Sequence, residues 1–201
     1  VKLNIDDSVN EIQRPISVND ESASVPDGYA RWEKTNVEKQ SQSGFNSVFI
    51  GLEAGDITAN QLRSVAEIIR DYSAEGFARN GFSQNIVIRY VHDDDLKSMY
   101  SRLIENGLAK TGSLTMASAV GCSGTTSCNL ALTNSHRLAK EVQRKFLELN
   151  YDEDNDLKDS TIKISGCPNS CGQHQIATIG FYGGGGRHGT DMFPNYTMSL
   201  G

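Results

Sequence analysis

Cysteine, positive charge and long apolar runs are all scarce in this 201-residue chain. Its 19 lysines and arginines are outnumbered by 25 aspartates and glutamates, which gives a formal net charge of -6. Nucleic-acid binding relies on a net basic face, so this balance argues against nucleic acid as the main partner. No stretch of the sequence approaches the roughly 18 apolar residues of a membrane span, and no basic region followed by an apolar run opens it. We therefore expect a cytoplasmic protein without a nucleic-acid or membrane partner.

A chain of this length can build a core, so with only four cysteines it need not be stapled by disulfides in order to fold. They form two pairs beside glycines: Cys122 and Cys128 enclose five residues, while Cys167 and Cys171 enclose three. Structural zinc usually takes shorter C-x2-C knuckles, whereas an iron-sulfur cube is wider and tolerates longer loops. The spacing therefore favours an iron-sulfur cluster. Two disulfides and a zinc site stay open as alternatives.

Small and polar side chains fill the space between the cysteines. Such residues let backbone amides approach a cluster and hydrogen-bond its sulfides, which tunes the reduction potential. The residues with this property are Gly124, Thr125, Thr126, Ser127, Asn169 and Ser170.

The ends of the chain differ from its middle. Residues 1–45 lack sustained periodicity and mix charge with turn formers, which predicts an extended arm or linker. The chain begins with Val1 and stops at Leu200-Gly201 directly after a strand-like segment. We expect it to be part of a longer protein, and the region of residues 112–201 to be truncated.

Residues 46–111 alternate between strand and helix patterns. A strand is predicted over residues 47–52, and a capping box from Thr58 to Gln61 then begins an amphipathic helix. A second strand over residues 85–91 leads to a helix that three aspartates, 93–95, are expected to cap, with Gly107 just beyond its end. This succession predicts a small α/β sandwich with helices on one face of a sheet.

The region of residues 112–201 is dominated by the cysteine loops. A long helix is predicted over residues 129–150, followed by an acidic run, 152–156, that we interpret as a solvated turn. A strand over residues 161–165 then leads into the second cysteine pair. The run Gly183–Gly186 is interpreted as a mobile loop, with an anion-binding loop as the alternative.

Taken together, these motifs resemble the siroheme-dependent sulfite and nitrite reductases. The cysteine pairs, the 38 residues between them and the run Gly166-Cys167-Pro168-Asn169-Ser170-Cys171-Gly172 are similar to the cluster signature of that family. Upstream, the similarity extends to Trp32-Glu33-Lys34-Thr35-Asn36-Val37, to the segment from Phe49 to Leu62 and to Gln84-Asn85.

The resemblance implies an α+β fold. A ferredoxin-like α/β sandwich half-domain, residues 46–111, would be followed by a mixed α/β iron-sulfur and siroheme domain, residues 112–201. Family members carry two such half-domains and place the cluster in the second copy. The chain is therefore expected to be part of the C-terminal half, with the missing N-terminal half-domain as a partner.

The resemblance also implies the cofactors and the residues that hold them. Cys122, Cys128, Cys167 and Cys171 would bind a 4Fe-4S cluster, and Cys171 would also bridge it to the siroheme iron. Arg79, Gln84 and Asn169 are the other candidate cofactor-binding residues. Gly81 stands where the family usually has a threonine. We assign no catalytic residue.

The implied activity is the six-electron reduction of sulfite to sulfide or of nitrite to ammonia, with ferredoxin or a flavoprotein as electron donor. We expect this chain alone to be inactive, because the missing half supplies several residues that grip the small anionic substrate. One alternative is a complete, small, single-repeat sulfite reductase. Another is a non-catalytic electron-transfer module that binds an iron-sulfur cluster or zinc.

Overall fold

Two four-stranded sheets, each with its own apolar core, organise residues 25–201, which are the residues that the computed structural model describes. The first 24 residues of the predicted arm lie outside this range. None of the helices within residues 25–201 combines the length and the apolar character needed to cross a bilayer.

The first sheet has the strand order β1-β2-β4-β3 with all neighbours antiparallel. Its strands are β1 (Val37–Lys39), β2 (Phe45–Ile50), β3 (Ala78–Asn80) and β4 (Ile86–His92). Three helices contribute to the core on one face of this sheet: α1 (Tyr29–Asn36), α2 (Ala59–Tyr72) and α3 (Leu96–Glu105). The predicted α/β sandwich is confirmed, and its alternating buried residues in β2 follow the two-residue period of a strand.

Two predicted helix ends of this unit are confirmed: the capping box at the start of α2 and the glycine after α3. At the start of α2, the Gln61 amide donates to the Thr58 hydroxyl at 3.2 Å and the Thr58 amide donates back to the Gln61 side chain at 3.1 Å. After α3, Gly107 takes a φ of 64°, and the amides of Gly107 and Leu108 donate to carbonyls in the last turn. The three aspartates form a short 3-10 turn before α3, and Asp95 is the N-cap residue of that helix but makes no side-chain cap hydrogen bond.

The described part of the predicted arm is folded rather than extended. Helix α1 buries Trp32 completely, with its ring 4.8 Å from that of Tyr100 and 6.0 Å from that of Tyr29. Aromatic burial of this kind stabilises a short helix that has too few turns to form alone. The prediction of an extended arm is therefore wrong for α1, and residues 29–45 contribute two elements and part of a third to the first unit.

The second sheet has the strand order β5-β6-β7-β8. Strands β5 (Val120–Gly121), β6 (Ile162–Ser165) and β7 (Ile179–His188) are parallel, and β8 (Asp191–Leu200) returns antiparallel to β7. Helix α4 (Ser135–Glu148) packs on this sheet through Ala139, which lies beside Ile162 and Ile164 in the core. The helix begins six residues later than expected, where the side chain of Asn134 accepts a hydrogen bond from the Arg137 amide.

The glycine run 183–186 is part of β7 and is not a mobile loop. Each of its residues pairs with a residue of β8, from Gly183 with Tyr196 to Gly186 with Phe193. A Cβ atom on Gly183 would lie 2.2 Å from the Thr133 hydroxyl and 2.4 Å from the Gly166 carbonyl oxygen. Glycine is needed there because the strand passes directly against both cysteine-bearing segments.

The acidic run 152–156 is only partly the solvated turn that we predicted. Asp152 is 3% exposed, and its carboxylate accepts a hydrogen bond from Arg31 Nε in α1 at 2.8 Å. That hydrogen bond raises the pKa of Arg31 against the opposing effect of burial, and the charge of Asp152 adds to the rise. A buried carboxylate needs such a partner, and here the partner lies on the first unit of the fold.

Candidate metal centre

The cysteine loops begin at the same edge of the second sheet. Cys122 directly follows β5, Cys167 follows β6 after one residue, and these strands are parallel neighbours with Gly121 opposite Ile164. The Cys122 amide extends the pairing by donating to the Ile164 carbonyl at 3.0 Å. Because the carboxyl ends of parallel strands share one edge, the two loops emerge side by side.

Direct contacts hold the two loops together. The amides of Leu132 and Thr133, which follow the first loop, donate to the Gly166 carbonyl at 2.8 and 3.1 Å. A Cβ atom on Gly166 would lie 2.9 Å from the Cα atom of Gly124, so both glycines are needed for this approach. The structure therefore brings the predicted cysteine loops together through the small residues that surround them.

The sulfur of Cys122 lies within this contact. The Gly166 amide donates to Cys122 Sγ at 3.1 Å, and the hydroxyl of Ser135 lies 3.1 Å from the same atom. The Ser135 hydroxyl also donates to the Cys122 carbonyl at 2.9 Å. Because Ser135 is completely buried, this sulfur has a fixed polar environment before any metal binds.

The second loop is anchored to β6 by a side-chain network. The Ser165 hydroxyl accepts the Gly172 amide at 3.2 Å and lies 2.9 Å from Nδ1 of His174. The His174 ring packs on that of Tyr182 in β7, with 4.9 Å between centroids. His174 thus braces the loop after Cys171.

All four cysteines are free thiols; Cys122 and Cys167 are half-buried, and Cys128 and Cys171 are exposed. Within residues 25–201, no group of three or more His, Cys, Asp or Glu side chains is placed to hold a single metal ion. A cube of four irons makes a different demand, because each thiolate binds its own iron and the sulfurs need not converge on one point. Four thiols on two adjoining loops are therefore a donor set whose chemistry fits an iron-sulfur cube.

Gln84 joins the first unit to the first cysteine loop. Its side-chain amide donates to the Gly121 carbonyl at 2.9 Å, and its side-chain oxygen accepts the Gly121 amide at 3.0 Å. Its own backbone is left-handed, with a φ of 55°. Gln84 was predicted as a cofactor-binding residue, and in the structure its amide is bonded to the residue directly before Cys122.

Arg79 lies on β3 in an ion-pair network around Glu75. Its guanidinium makes two hydrogen bonds of 2.6 Å to the Glu75 carboxylate, which Arg89 also contacts. Burial raises the pKa of Glu75, but the bonds from both arginines outweigh it and lower that pKa to about 2. Asn169, the remaining cofactor candidate, is exposed in the second loop.

Two residues of the site escaped sequence reasoning: Ser135 and Tyr196. The Tyr196 hydroxyl is buried without a hydrogen-bond partner, and it lies on β8 opposite Gly183. Burial raises the pKa of Tyr196, the nearby Thr133 hydroxyl opposes the rise, and the charge of Cys122 adds to it. No spacing in the sequence signals either residue, since both reach the site through long-range packing.

Comparison with known proteins agrees with this architecture. Residues 38–106 match the nitrite/sulfite reductase ferredoxin-like half domain. The chain is 28% identical over 173 residues to ferredoxin-nitrite reductase of Synechococcus elongatus, covering 85% of this chain and 33% of that protein. It is 27% identical over 146 residues to sulfite reductase (ferredoxin) 1 of Mycolicibacterium paratuberculosis, covering 71% and 26%.

A solved structure gives the same result. The NirA protein of Mycobacterium tuberculosis superposes with a TM-score of 0.63 and 26% identity, over 83% of this chain and 30% of that one. The fold thus defines an α+β protein in which a ferredoxin-like half-domain precedes a thiol-bearing second sheet. These comparisons support the nitrite/sulfite reductase family, whose ferredoxin-like half domain matches residues 38–106. The chain spans a third or less of the length of these relatives.

Proposed function

We propose that this chain is part of a nitrite or sulfite reductase, from its C-terminal half, and that its thiols hold a 4Fe-4S cluster next to siroheme. The ligands are Cys122, Cys128, Cys167 and Cys171. The observation that carries the proposal is the convergence of two glycine-lined cysteine loops at one edge of the second sheet, with Cys122 Sγ bonded to the Gly166 amide at 3.1 Å.

The chain's own residues have separable tasks in this proposal. When bound, the cluster and siroheme supply the one-electron steps whose sum is a six-electron reduction of sulfite or nitrite. The thiolates would hold the cluster, and Cys171 would also link it to siroheme, as the family resemblance implies. The Gly166 amide offsets negative charge at the sulfur of Cys122. Glycines 124, 166 and 183 keep the loops close enough for these contacts.

Siroheme carries eight carboxylates, which favour cationic and amide partners. We propose Arg79, Gln84 and Asn169 for this role. Arg79 is held by Glu75 and Gln84 is held by Gly121, so binding siroheme requires each to share or exchange its present partner. The contact is thus a proposal about the assembled protein.

The remaining partners follow from the proposal. Relatives named ferredoxin-nitrite reductase favour ferredoxin as the electron donor, with a flavoprotein as the alternative. The substrate is a small anion, sulfite or nitrite, and the protein is cytoplasmic. An N-terminal half-domain completes the site, and this chain alone does not turn over.

The test is anaerobic purification of the whole protein that contains this chain, from cells that make siroheme. We expect about five irons and about four acid-labile sulfides per chain, since siroheme adds one iron to the four of the cluster, together with red-region tetrapyrrole bands. Cys122→Ser is expected to lose the cluster, because an oxygen ligand is harder than the sulfur that iron-sulfur clusters prefer. Ser127→Ala, in the same loop and exposed, is the matched control. Stoichiometric zinc without sulfide would contradict the cluster assignment.

A second candidate function is an electron-transfer module with a cluster but without siroheme. It is favoured by the engagement of Arg79 with Glu75 and of Gln84 with Gly121, which leaves two of the three proposed siroheme contacts occupied. The same spectrum separates the two candidates. Iron and sulfide without tetrapyrrole bands in the whole protein would support the module and refute the reductase.

A further inference from the structure

Cys122 differs from the other thiols in its surroundings. All four cysteines lie in residues 25–201, and the hydrogen bonds to their sulfur atoms are those at Cys122. Its sulfur contacts the Gly166 amide and the Ser135 hydroxyl, both at 3.1 Å. Cys128 and Cys171 are exposed. The polar environment of the site is therefore asymmetric, and its most ordered part is centred on one sulfur.

We propose that Ser135 is a positioning residue that fixes the Cys122 thiolate and makes the bound cluster easier to reduce. This inference rests on the proposed function, because it assigns a role toward the cluster.

The position of Ser135 in the fold supports this role. It is the first residue of α4, and the side chain of Asn134 caps that helix start. A Cβ atom on Gly121 would lie 2.9 Å from the Ser135 carbonyl oxygen and 2.8 Å from the Cβ atom of Ala139. Strand β5 therefore runs directly against the first turn of α4, whose amino terminus favours negative charge nearby.

The single hydroxyl proton of Ser135 explains how the contact responds to metal binding. In the free thiol, the Cys122 sulfur can donate its own proton to Ser135 Oγ, while that hydroxyl donates to the Cys122 carbonyl at 2.9 Å. A metal-bound thiolate has no proton. The Ser135 hydroxyl is then the only possible donor across the 3.1 Å contact, and its single proton turns from the Cys122 carbonyl to the sulfur, where it joins the Gly166 amide.

Reduction adds negative charge to the cluster and its thiolates. Hydrogen bonds to a charged acceptor are stronger than those to a neutral one, so donors at Cys122 stabilise the reduced state more than the oxidised state. Removing the Ser135 hydroxyl is expected to lower the equilibrium constant for reduction about tenfold, which corresponds to a midpoint potential about 59 mV lower for one electron.

The experiment compares three variants in the whole protein: Ser135→Ala, Ser135→Thr and Ser41→Ala. Iron and sulfide content reports assembly, and a redox titration followed by electron paramagnetic resonance reports the midpoint potential. Ser135→Thr keeps a hydroxyl. Ser41 is exposed between β1 and β2, away from the cysteine loops, and the structure shows no hydrogen bond from its hydroxyl. We expect a lower potential in Ser135→Ala alone, with cluster content unchanged.

Each outcome decides one question. A wild-type protein without iron and sulfide overturns the proposed function and this inference together. A wild-type cluster whose potential is unchanged in Ser135→Ala overturns this inference alone. If Ser135→Ala loses the cluster, the Ser135→Thr variant decides the question. A wild-type potential in Ser135→Thr supports the role of the hydroxyl, and loss of the cluster in Ser135→Thr as well overturns that role.

Discussion

At the scale of single residues, Gln84 shows how a side chain can substitute for a strand. Strand β5 is only two residues long and forms the end of its sheet, so the backbone of Gly121 would lack a partner on that side. The Gln84 side chain supplies a donor and an acceptor at 2.9 and 3.0 Å. Because Gly121 precedes Cys122, this contact also determines where the first cysteine loop begins.

Replacing Gln84 tests that contact. Gln84→Ala leaves one amide and one carbonyl without partners, and we expect a loss of about 2 kcal/mol in the free energy of unfolding. Urea denaturation measures the loss, and cluster content in the whole protein reports the effect on Cys122. Gln84→Glu retains the acceptor for the Gly121 amide but places a carboxylate oxygen against the Gly121 carbonyl oxygen, so this variant should lose stability as well. A Gln84→Ala protein as stable as wild type contradicts the structural role.

The Glu75 network gives a pH-dependent prediction. The pKa of Glu75 is lowered from 4.5 to about 2, so its contribution to stability is fully present above about pH 4.5 and is lost as the pH falls toward 2. We expect Glu75→Gln to cost about 2 kcal/mol at pH 7, less than the shift implies because Arg79 and Arg89 are partly exposed to screening solvent. Denaturation at several pH values measures the difference between the two proteins.

That difference should shrink between pH 4.5 and 2, where the wild-type carboxylate becomes protonated. Glu38→Gln is a suitable control, because Glu38 is exposed on β1 and the structure shows no ion pair for it. A constant difference between wild type and Glu75→Gln across that range would show that the ion pairs do not set the stability.

At the scale of elements, the sequence predicted those whose signals are local. The capping box from Thr58 to Gln61 and the apolar stripe that follows identified α2, the run of residues 47–52 identified β2, and alternation identified β4. The sequence did not predict elements whose stabilising partner is distant along the chain. Helix α1 depends on Tyr100 for its aromatic packing, and β7 depends on ten paired residues of β8 to make a strand of a glycine run.

The glycines of β7 provide a matched pair of substitutions. Gly183→Ala places a methyl group 2.2 Å from the Thr133 hydroxyl and 2.4 Å from the Gly166 carbonyl oxygen. Overpacking of this kind is expected to cost about 1 to 3 kcal/mol and to separate the cysteine loops, so cluster content should fall. At Gly185 the nearest atom is the flexible end of Met192 at 3.5 Å, so Gly185→Ala should be tolerated.

Thermal unfolding and iron content of the two variants check this prediction. An equal loss of stability and iron in both variants would mean that β7 needs glycine only for its backbone freedom. Equal retention in both would mean that β7 can move away from the loops without disturbing them. Only the difference between the two positions supports the close contact of Gly183 with the cysteine segments.

At the scale of the whole molecule, the cysteine spacing identified the site, but not what joins it to the rest of the chain. Arg31 reaches Asp152, Gln84 reaches Gly121, and Asp56 contacts His136 and Lys140 on α4. Hydrogen bonds to Lys140 and His136 lower the pKa of Asp56 against the effect of burial. These residues are separated by 37 to 121 positions, so no local pattern could pair them. The sequence therefore indicates the candidate ligands, whereas the residues that hold their loops in place emerge only from the fold.

Of these contacts, the one between Arg31 and Asp152 is the most deeply buried, with an Asp152 side chain that is 0% exposed. Asp152→Asn leaves Arg31 facing a neutral amide, and we expect a loss of about 2 to 3 kcal/mol, moderated because Arg31 is partly exposed. Hydrogen exchange should show earlier opening of α1, because the loop after α4 no longer holds it. Asp159→Asn, at an exposed position of the same region, is the control. Unchanged protection of α1 in Asp152→Asn would mean that Trp32 and the aromatic core hold this helix without the ion pair, and that the two units are joined mainly through Gln84 and Asp56.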